Sequence, residues 1–222
     1  MSTGAVEFTA WQLLMMGGPV LAPVLICSVL ALAVMIRKFD EFRSADAAIR
    51  LLKDRVLDEA RCGRIREAVF ACDGSDAWAA PVFKAGLMEF GKPRPEVLEA
   101  MDDAARVQIP RLEKGLALLG TIAVVTPLMG ILGTALGLSS VFHTVQVRAA
   151  AMNPVGMGDV AGGIWQALIT TAVSLLVAIP VLIAHNYFVH RLHLLVRDME
   201  KAAVRLADLM GRSPDTGDPG KE

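Results

Sequence analysis

Three long stretches of this sequence contain no Asp, Glu, Lys or Arg. They cover residues 8–36, 115–147 and 160–190, which are 29, 33 and 31 residues long. A helix needs about 20 apolar residues to cross the hydrocarbon core of a bilayer, so each stretch is long enough. Because 54% of the whole chain is hydrophobic, this absence of charge favours an integral membrane protein with three crossings.

Cysteines and catalytic motifs are also scarce. The three cysteines, Cys27, Cys62 and Cys72, form no CxxC pair and have no histidine at metal-ligand spacing, so we expect reduced, packed thiols. No serine of the two later stretches lies in a G-x-S-x-G pattern, and no HExxH motif or Walker loop is present. We therefore predict no enzymatic activity, no cofactor and no metal.

Basic residues are distributed unevenly around the uncharged stretches. Of the 22 Lys and Arg, fifteen lie between Arg37 and Lys114, six follow His190, one is Arg148, and none precedes Arg37. The positive-inside rule then predicts an N-terminus outside and a C-terminus inside. The net charge of −1 gives no sign of nucleic-acid binding, and we expect none.

The predicted fold is all-α, with three transmembrane helices (N-out, C-in) and long helices that extend into the cytoplasm. Since Glu7 precedes the first stretch in place of a basic signal-peptide region, we expect that stretch to be retained. The predicted segments are an outer N-terminal segment (1–17), the first span (18–36), a cytoplasmic helical region (37–114), the second span (115–142), an outer loop (143–160), the third span (161–188), a cytoplasmic C-terminal helix (189–211) and a disordered tail (212–222).

Apolar residues repeat at spacings of three and four beyond the spans, which is typical of one helix face. These rows are Phe42, Ala45, Ile49, Leu52 and Val56 after the first span, Leu98, Met101, Ala105, Leu112 and Leu119 running into the second, and Leu192, Val196, Met199, Ala203, Leu206 and Met210 after the third. We predict helix breaks at residues 74–76, where Ser75 or Asp76 could cap the next helix, and at 91–95. Asp159 is the expected N-cap of the third span.

Glycines give the second span a small-residue surface. Gly130, Gly133 and Gly137 lie on it, and in a bilayer such residues allow close backbone approach, so we expect them to serve helix packing. Pro127 and Pro180 each remove a backbone donor inside a membrane helix, which requires a kink or a compensating group. Thr126 and Thr134 are near enough in sequence to contribute.

A neutral polar stripe marks the third span. Gln166, Thr170 and Ser174 fall within about 80° of one another on a helix, and Thr171 is close by. Such groups either hydrogen-bond between helices, at about 0.6 kcal/mol each, or line an ion or substrate path. Periodicity alone leaves both interpretations open.

Carboxylates are missing from all three spans, so a proton relay built from this chain alone lacks its usual acid. The titratable groups within the spans or at their edges are His143, His185 and His190. For His185 and His190, near the cytoplasmic end of the third helix, we expect snorkelling or an interaction with the helix C-terminus.

Two motifs in the later spans resemble the MotA/TolQ/ExbB proton channel family. Residues 118–123 read LLGTIA and 126–137 read TPLMGILGTALG; residues 161–172 read AGGIWQALITTA, followed by AIP at 178–180 and NY at 186–187. The three-span, N-out plan and large cytoplasmic loop resemble the ExbB and TolQ branch rather than the four-span MotA branch. The motifs cover roughly the last 110 residues, and the rest matches by layout only.

This resemblance implies a pentameric ring in the bacterial inner membrane, whose outer side is the periplasm. The second and third helices would line a pore holding a dimeric, single-span ExbD- or TolR-like partner, which supplies a membrane Asp. Proton-motive force would then drive work on a TonB-like or other envelope effector. Thr134 and Thr171 match the family's pore-facing threonines, so the candidate pore set comprises Thr134, Gln166, Thr170, Thr171 and Ser174.

One position departs from the family pattern. Relatives usually read Gly-Ile-x-Glu-Ala-Leu, whereas this chain has Gln166 in place of the Glu. A Gln side chain hydrogen-bonds but does not titrate. Either the Glu is structural in most relatives, or this protein conducts differently. The alternative function, slightly favoured by Gln166, is a non-conducting membrane scaffold that holds a partner helix.

Overall fold

The computed structural model describes residues 20–152, 154 and 156–210. Within these residues the fold consists of six helices and no β-strand, which confirms the predicted all-α class for this part of the chain. The helices are α1 (Leu21–Arg61), α2 (Ile65–Asp73), α3 (Ala80–Met88), α4 (Arg94–Glu113), α5 (Leu116–Ala150) and α6 (Met157–Met210). The predicted N-terminal segment 1–17 and tail 212–222 lie outside the described residues.

Three of the described helices, α1, α5 and α6, are long and apolar enough to cross a membrane. The chain divides into two compact units. We call Met1–Ile36 with Gly115–Tyr187 the span unit, and Arg37–Lys114 with Phe188–Glu222 the charged unit. The span unit contains the apolar parts of all three long helices, so the candidate pore residues all belong to it.

Apolar surface covers the outside of the span unit. Many large side chains there are exposed, among them Ile26, Val29, Leu128, Leu168 and Leu176. So many exposed apolar side chains on one unit suit contact with lipid or with another protein.

The charged unit buries two of the predicted apolar rows. Phe42, Ile49, Leu52 and Val56 are buried on α1, and Leu192, Met199, Ala203, Leu206 and Met210 are buried on α6. Phe42 stacks on Phe188, with ring centroids 5.7 Å apart. Val97 and Leu195 are buried in place of the predicted Leu98 and Val196. The buried helix faces are therefore rotated slightly from the predicted rows.

The row predicted to continue from α4 into the second span is interrupted. Helix α4 ends at Glu113, and Gly115 has a φ of 94°, in the left-handed region that glycine adopts without steric cost. Leu112 and Leu119 are both buried, but they lie on different helices. The spacing pattern missed this break because apolar residues continue on both sides of it.

Two predicted breaks are confirmed, although their caps differ from expectation. Between α2 and α3, the Ser75 hydroxyl accepts a hydrogen bond from the Ala77 backbone N–H at 3.2 Å, and α3 has no side-chain cap. Between α3 and α4, Pro95 lies in the first turn of α4, where a missing N–H costs nothing.

The connection between α5 and α6 is shorter than the outer loop predicted at 143–160. Helix α5 continues to Ala150 and α6 begins at Met157. Residues 143–150 contain neither Gly nor Pro, so nothing in them stops the helix. Asp159 therefore lies inside α6 and is not its N-cap.

Candidate functional site

Helices α5 and α6 approach closely because glycines of α5 face side chains of α6. A Cβ atom added to Gly133 would lie 2.6 Å from Cγ2 of Thr170, and one added to Gly137 would lie 2.8 Å from Cβ of Ala167. A Cβ on Gly130 would overlap the Ser174 hydroxyl. Any larger residue at these positions would force the helices apart. We call this contact between α5 and α6 the seam.

The seam extends beyond the three predicted glycines at both ends. At one end the roles reverse, since Gly163 of α6 receives the side chain of Val141. At the other end His185 of α6 lies over Gly120 of α5. Sequence reasoning did not single out these two contacts; the available signal was a small residue on one helix opposite a larger one on its antiparallel neighbour.

The predicted polar stripe of α6 is divided by this packing. Thr170 and Ser174 are 1% and 0% exposed and pack onto Gly133 and Gly130. Their hydroxyls donate to backbone oxygens of their own helix, Thr170 to Gln166 at 2.9 Å and Ser174 to Thr171 at 2.8 Å. Contact with α5 therefore occupies the side chains of both residues within this chain.

Gln166 and Thr171 are half-buried and lie on opposite edges of the seam. Five residues apart on a helix, they point about 140° away from each other. The Thr171 hydroxyl donates to the Gly130 carbonyl oxygen at 2.9 Å, a hydrogen bond from α6 to α5. Thr171 therefore links α6 to α5 by a hydrogen bond.

Thr134 is half-buried on α5, and its hydroxyl donates to the Ile131 carbonyl oxygen of the same helix at 2.6 Å. It does not compensate for Pro127, whose missing N–H affects the carbonyl of Ala123. Thr126 is fully buried, and its hydroxyl has no partner among the described residues. Pro127 is half-buried, while Pro180 is exposed on α6.

The seam carries no formal charge, and its one titratable side chain is His185. Helix α6 continues to Met210, so of the two alternatives expected for His185 and His190, the interaction with a helix C-terminus is wrong and snorkelling stays a prediction. His185 is half-buried against Gly120, whereas His143 and His190 are exposed.

The charged unit contains a buried cation and a buried thiol. The Lys38 ammonium donates to the Leu112 carbonyl oxygen and to Glu41, both at 2.9 Å. It thereby satisfies a carbonyl in the last turn of α4. Burial raises the pKa of the Cys72 thiol to about 11. Among the described residues, no group of three His, Cys, Asp or Glu is arranged to hold a metal ion.

Comparison with known proteins places these features in a family. The profile of the MotA/TolQ/ExbB proton channel family matches residues 75–201, which include the whole of α5. TolQ of the Pseudomonas aeruginosa Tol-Pal system is 27% identical over 202 residues, 86% of each chain. An ExbB-like biopolymer transport protein of Synechocystis is 32% identical over 175 residues, 78% of this chain and 82% of that protein. ExbB of Xanthomonas campestris is 35% identical over 94 residues, 40% of this chain and 36% of that protein. With more than half of its length matched, the chain belongs to the MotA/TolQ/ExbB proton channel family, in the branch of ExbB and TolQ.

Proposed function

We propose that this chain is the ring-forming subunit of a proton-channel motor in the bacterial inner membrane. With a single-span ExbD- or TolR-like partner, it converts proton-motive force into mechanical work on a periplasmic or outer-membrane effector. The observation that carries the proposal is the glycine-packed, charge-free seam within the family-matched region. A wall of this kind hydrogen-bonds to a passing acid but holds no fixed charge that would trap a proton.

Helix geometry supports the choice of one edge of the seam as the pore-facing edge. Thr134 is rotated about 40° from Gly130 on α5, and Thr171 is rotated about 60° from Ser174 on α6, in the same sense. Gly130 and Ser174 face each other in the seam. Because the two helices are antiparallel, equal senses of rotation bring both threonines to the same edge. We propose that this edge lines the pore of a pentameric ring.

Gln166 belongs to the other edge. It is rotated about 80° from Ser174 in the opposite sense to Thr171. Of the five predicted pore residues, the proposal thus retains Thr134 and Thr171 as pore-facing, assigns Thr170 and Ser174 to helix packing, and assigns Gln166 to the edge away from the pore. The titratable acid is then the partner's membrane Asp.

Proton flux tests this function. The chain is reconstituted in liposomes with a candidate single-span protein that carries a membrane Asp, and uptake is followed with a pH-sensitive dye. Flux should require both proteins and should fall about tenfold or more in Thr134→Ala and Thr171→Ala. Thr121→Ala is the matched control, since Thr121 is exposed on the side of α5 away from α6 and its hydroxyl donates to its own helix.

A non-conducting scaffold is the second candidate, and Gln166 is the observation that favours it, since it does not titrate. A scaffold would bind the partner helix without carrying protons. Complex formation with no flux above that of empty liposomes would establish the scaffold. A chain that stays monomeric and binds no single-span protein would contradict both functions.

A further inference from the structure

His185 occupies a notch that glycine leaves in α5. A Cβ atom on Gly120 would lie 2.8 Å from Nε2 of His185, 3.3 Å from Cδ2 and 3.4 Å from Cε1. The Nε2 edge of the imidazole therefore faces the α5 backbone, where any residue larger than glycine would displace it. The ring is half-buried, so part of it remains open to the surroundings of the span unit.

The surroundings of this ring in the span unit contain no charge. Helix α5 has no titratable side chain between Lys114 and His143, and α6 has none between Asp159 and His185. The part of α1 that belongs to the span unit and is described by the structure has one titratable side chain, the thiol of Cys27. On α6 itself, Tyr187 and His190 are rotated about 160° and 140° away from His185.

The polar neighbour of the ring is Asn186, whose Oδ1 lies 3.4 Å from Nδ1 of His185. In the tautomer that carries its proton on Nδ1, this N–H donates to the Asn186 oxygen. The lone pair of Nε2 is then directed toward the seam. Basic residues flank the three spans at the ends that the charge distribution assigns to the cytoplasm, namely Arg37, Lys38, Lys114 and Arg191. Lys38 is bound to Glu41 and to the Leu112 carbonyl oxygen.

We propose that His185, positioned by Gly120, is a proton-binding site at the end of the seam that the charge distribution assigns to the cytoplasm. This inference rests on the proposed function. The neutral Nε2 accepts a proton released by the partner's carboxylic acid, which becomes a carboxylate. The imidazolium then gives a proton to cytoplasmic water and returns to the neutral form. The chain, which has no carboxylate in its spans, thus supplies one titratable group on the exit side.

Titration of the wild-type complex in lipid nanodiscs tests whether His185 binds protons. The chain is labelled with ¹³C at histidine Cε1, and the four histidine signals are assigned by single substitutions. We expect the His185 signal to change between its neutral and protonated positions as the pH is varied. A His185 signal that stays at its neutral position at every pH at which the complex conducts would overturn the proposal, whatever the flux measurements give.

Flux in liposomes tests whether that proton lies on the pathway. His185→Gln should lower flux about tenfold and change its dependence on pH. His190→Gln, on the exposed face of the same helix, is the control and should retain the wild-type profile. Gly120→Ala keeps the imidazole but displaces it from the notch, so its pH profile should shift. If His185→Gln does not assemble, Gly120→Ala tests whether the imidazole lies on the proton pathway.

The two hypotheses fail differently. Absence of flux in the wild-type complex would contradict the proposed function. Normal flux with an unchanged pH profile in both His185→Gln and Gly120→Ala would contradict only the role of His185, and would show that the imidazole packs in the notch without carrying protons.

Discussion

The Thr171 hydroxyl donates a hydrogen bond to the Gly130 carbonyl oxygen, 2.9 Å away on the neighbouring helix. A helix carbonyl normally accepts from its own helix, and here it accepts a second bond from α6. The contact is possible because Gly130 has no side chain to hold the helices apart. The residue that the proposed function places at the pore thus also binds the two helices together, so substitutions at Thr171 have to be designed to separate the two effects.

Thr171→Val removes this bond while keeping the size of the side chain. We expect the free energy of unfolding to fall by about 0.6 kcal/mol, and by no more than about 1.7 kcal/mol, the range for interhelical hydrogen bonds in membrane proteins. Unfolding in mixed micelles with increasing SDS measures it. Thr171→Ser keeps the hydroxyl and should be close to wild type; equal losses in both variants would show that the methyl group, not the bond, stabilises the pair.

Gly130→Ala tests the close approach of the helices. Its Cβ would overlap the Ser174 hydroxyl and lie 3.3 Å from the backbone Cα of Thr171, so relief requires movement of α6. We expect a loss of about 1–3 kcal/mol in the same unfolding assay. Gly162→Ala on α6 is the control, because a Cβ there meets nothing within 4 Å. Similar stabilities for the two variants would contradict the tight seam.

Lys38→Met tests the buried cation of the charged unit. Lys38 is 4% exposed, and its removal leaves the Leu112 carbonyl without its donor and Glu41 without its partner. We expect a loss of about 1–3 kcal/mol, measured as a lower thermal unfolding midpoint. The exposed Lys201 provides the control variant Lys201→Met. If the two variants unfold alike, the Lys38 bonds contribute nothing net.

Cysteine reactivity should differ between the buried and exposed thiols. Because burial raises the pKa of Cys72 to about 11, about one thiol in a thousand is ionised at pH 8. Exposed Cys62 should therefore react with a maleimide about tenfold faster or more, as followed by mass spectrometry, with Cys62→Ser and Cys72→Ser assigning the signals. Equal rates at both sites in the folded protein would contradict the burial of Cys72.

The raised pKa of Cys72 also affects the free energy of unfolding at alkaline pH. The folded protein holds the Cys72 proton up to a pKa of about 11, whereas an unperturbed thiol releases it near 9.0. The unfolded state therefore binds fewer protons in this window, and the contribution of Cys72 to stability decreases as pH rises through it. Cys72→Ala should lessen that alkaline decline, measured as the unfolding midpoint against pH.

Gln166→Glu tests which edge of the seam faces the pore. Since Gln166 lies on the edge opposite Thr171, a carboxylate there should change flux by less than about twofold and leave its pH profile unaltered. The membrane Asp of the partner should remain essential. A large change in flux or in its pH profile would show that the Gln166 edge, and not the Thr171 edge, faces the pore.

Much of this architecture follows from the sequence, because charge-free runs and spacings of three and four report directly on burial. The row from Phe42 to Val56 is an example. Periodicity fixes the direction of a side chain around its own helix but not which neighbour it meets. For that reason Thr170 and Ser174 were grouped with Gln166 as one polar face, although the first two pack onto α5. The Gly115 break was missed because the seven-residue spacing from Leu112 to Leu119 continues the apolar row across it.

The reversed contact between Val141 and Gly163 fixes the alignment of the two helices. A row of glycines on α5 alone would accept α6 in more than one position, each shifted by about one helical turn. A shift of four residues in one direction would drive Val141 against Ala167, where no room exists for it. The opposite shift would set Gly137 against Gly163 and leave a void. The contact of Val141 with Gly163 thus restricts the two helices to a single alignment.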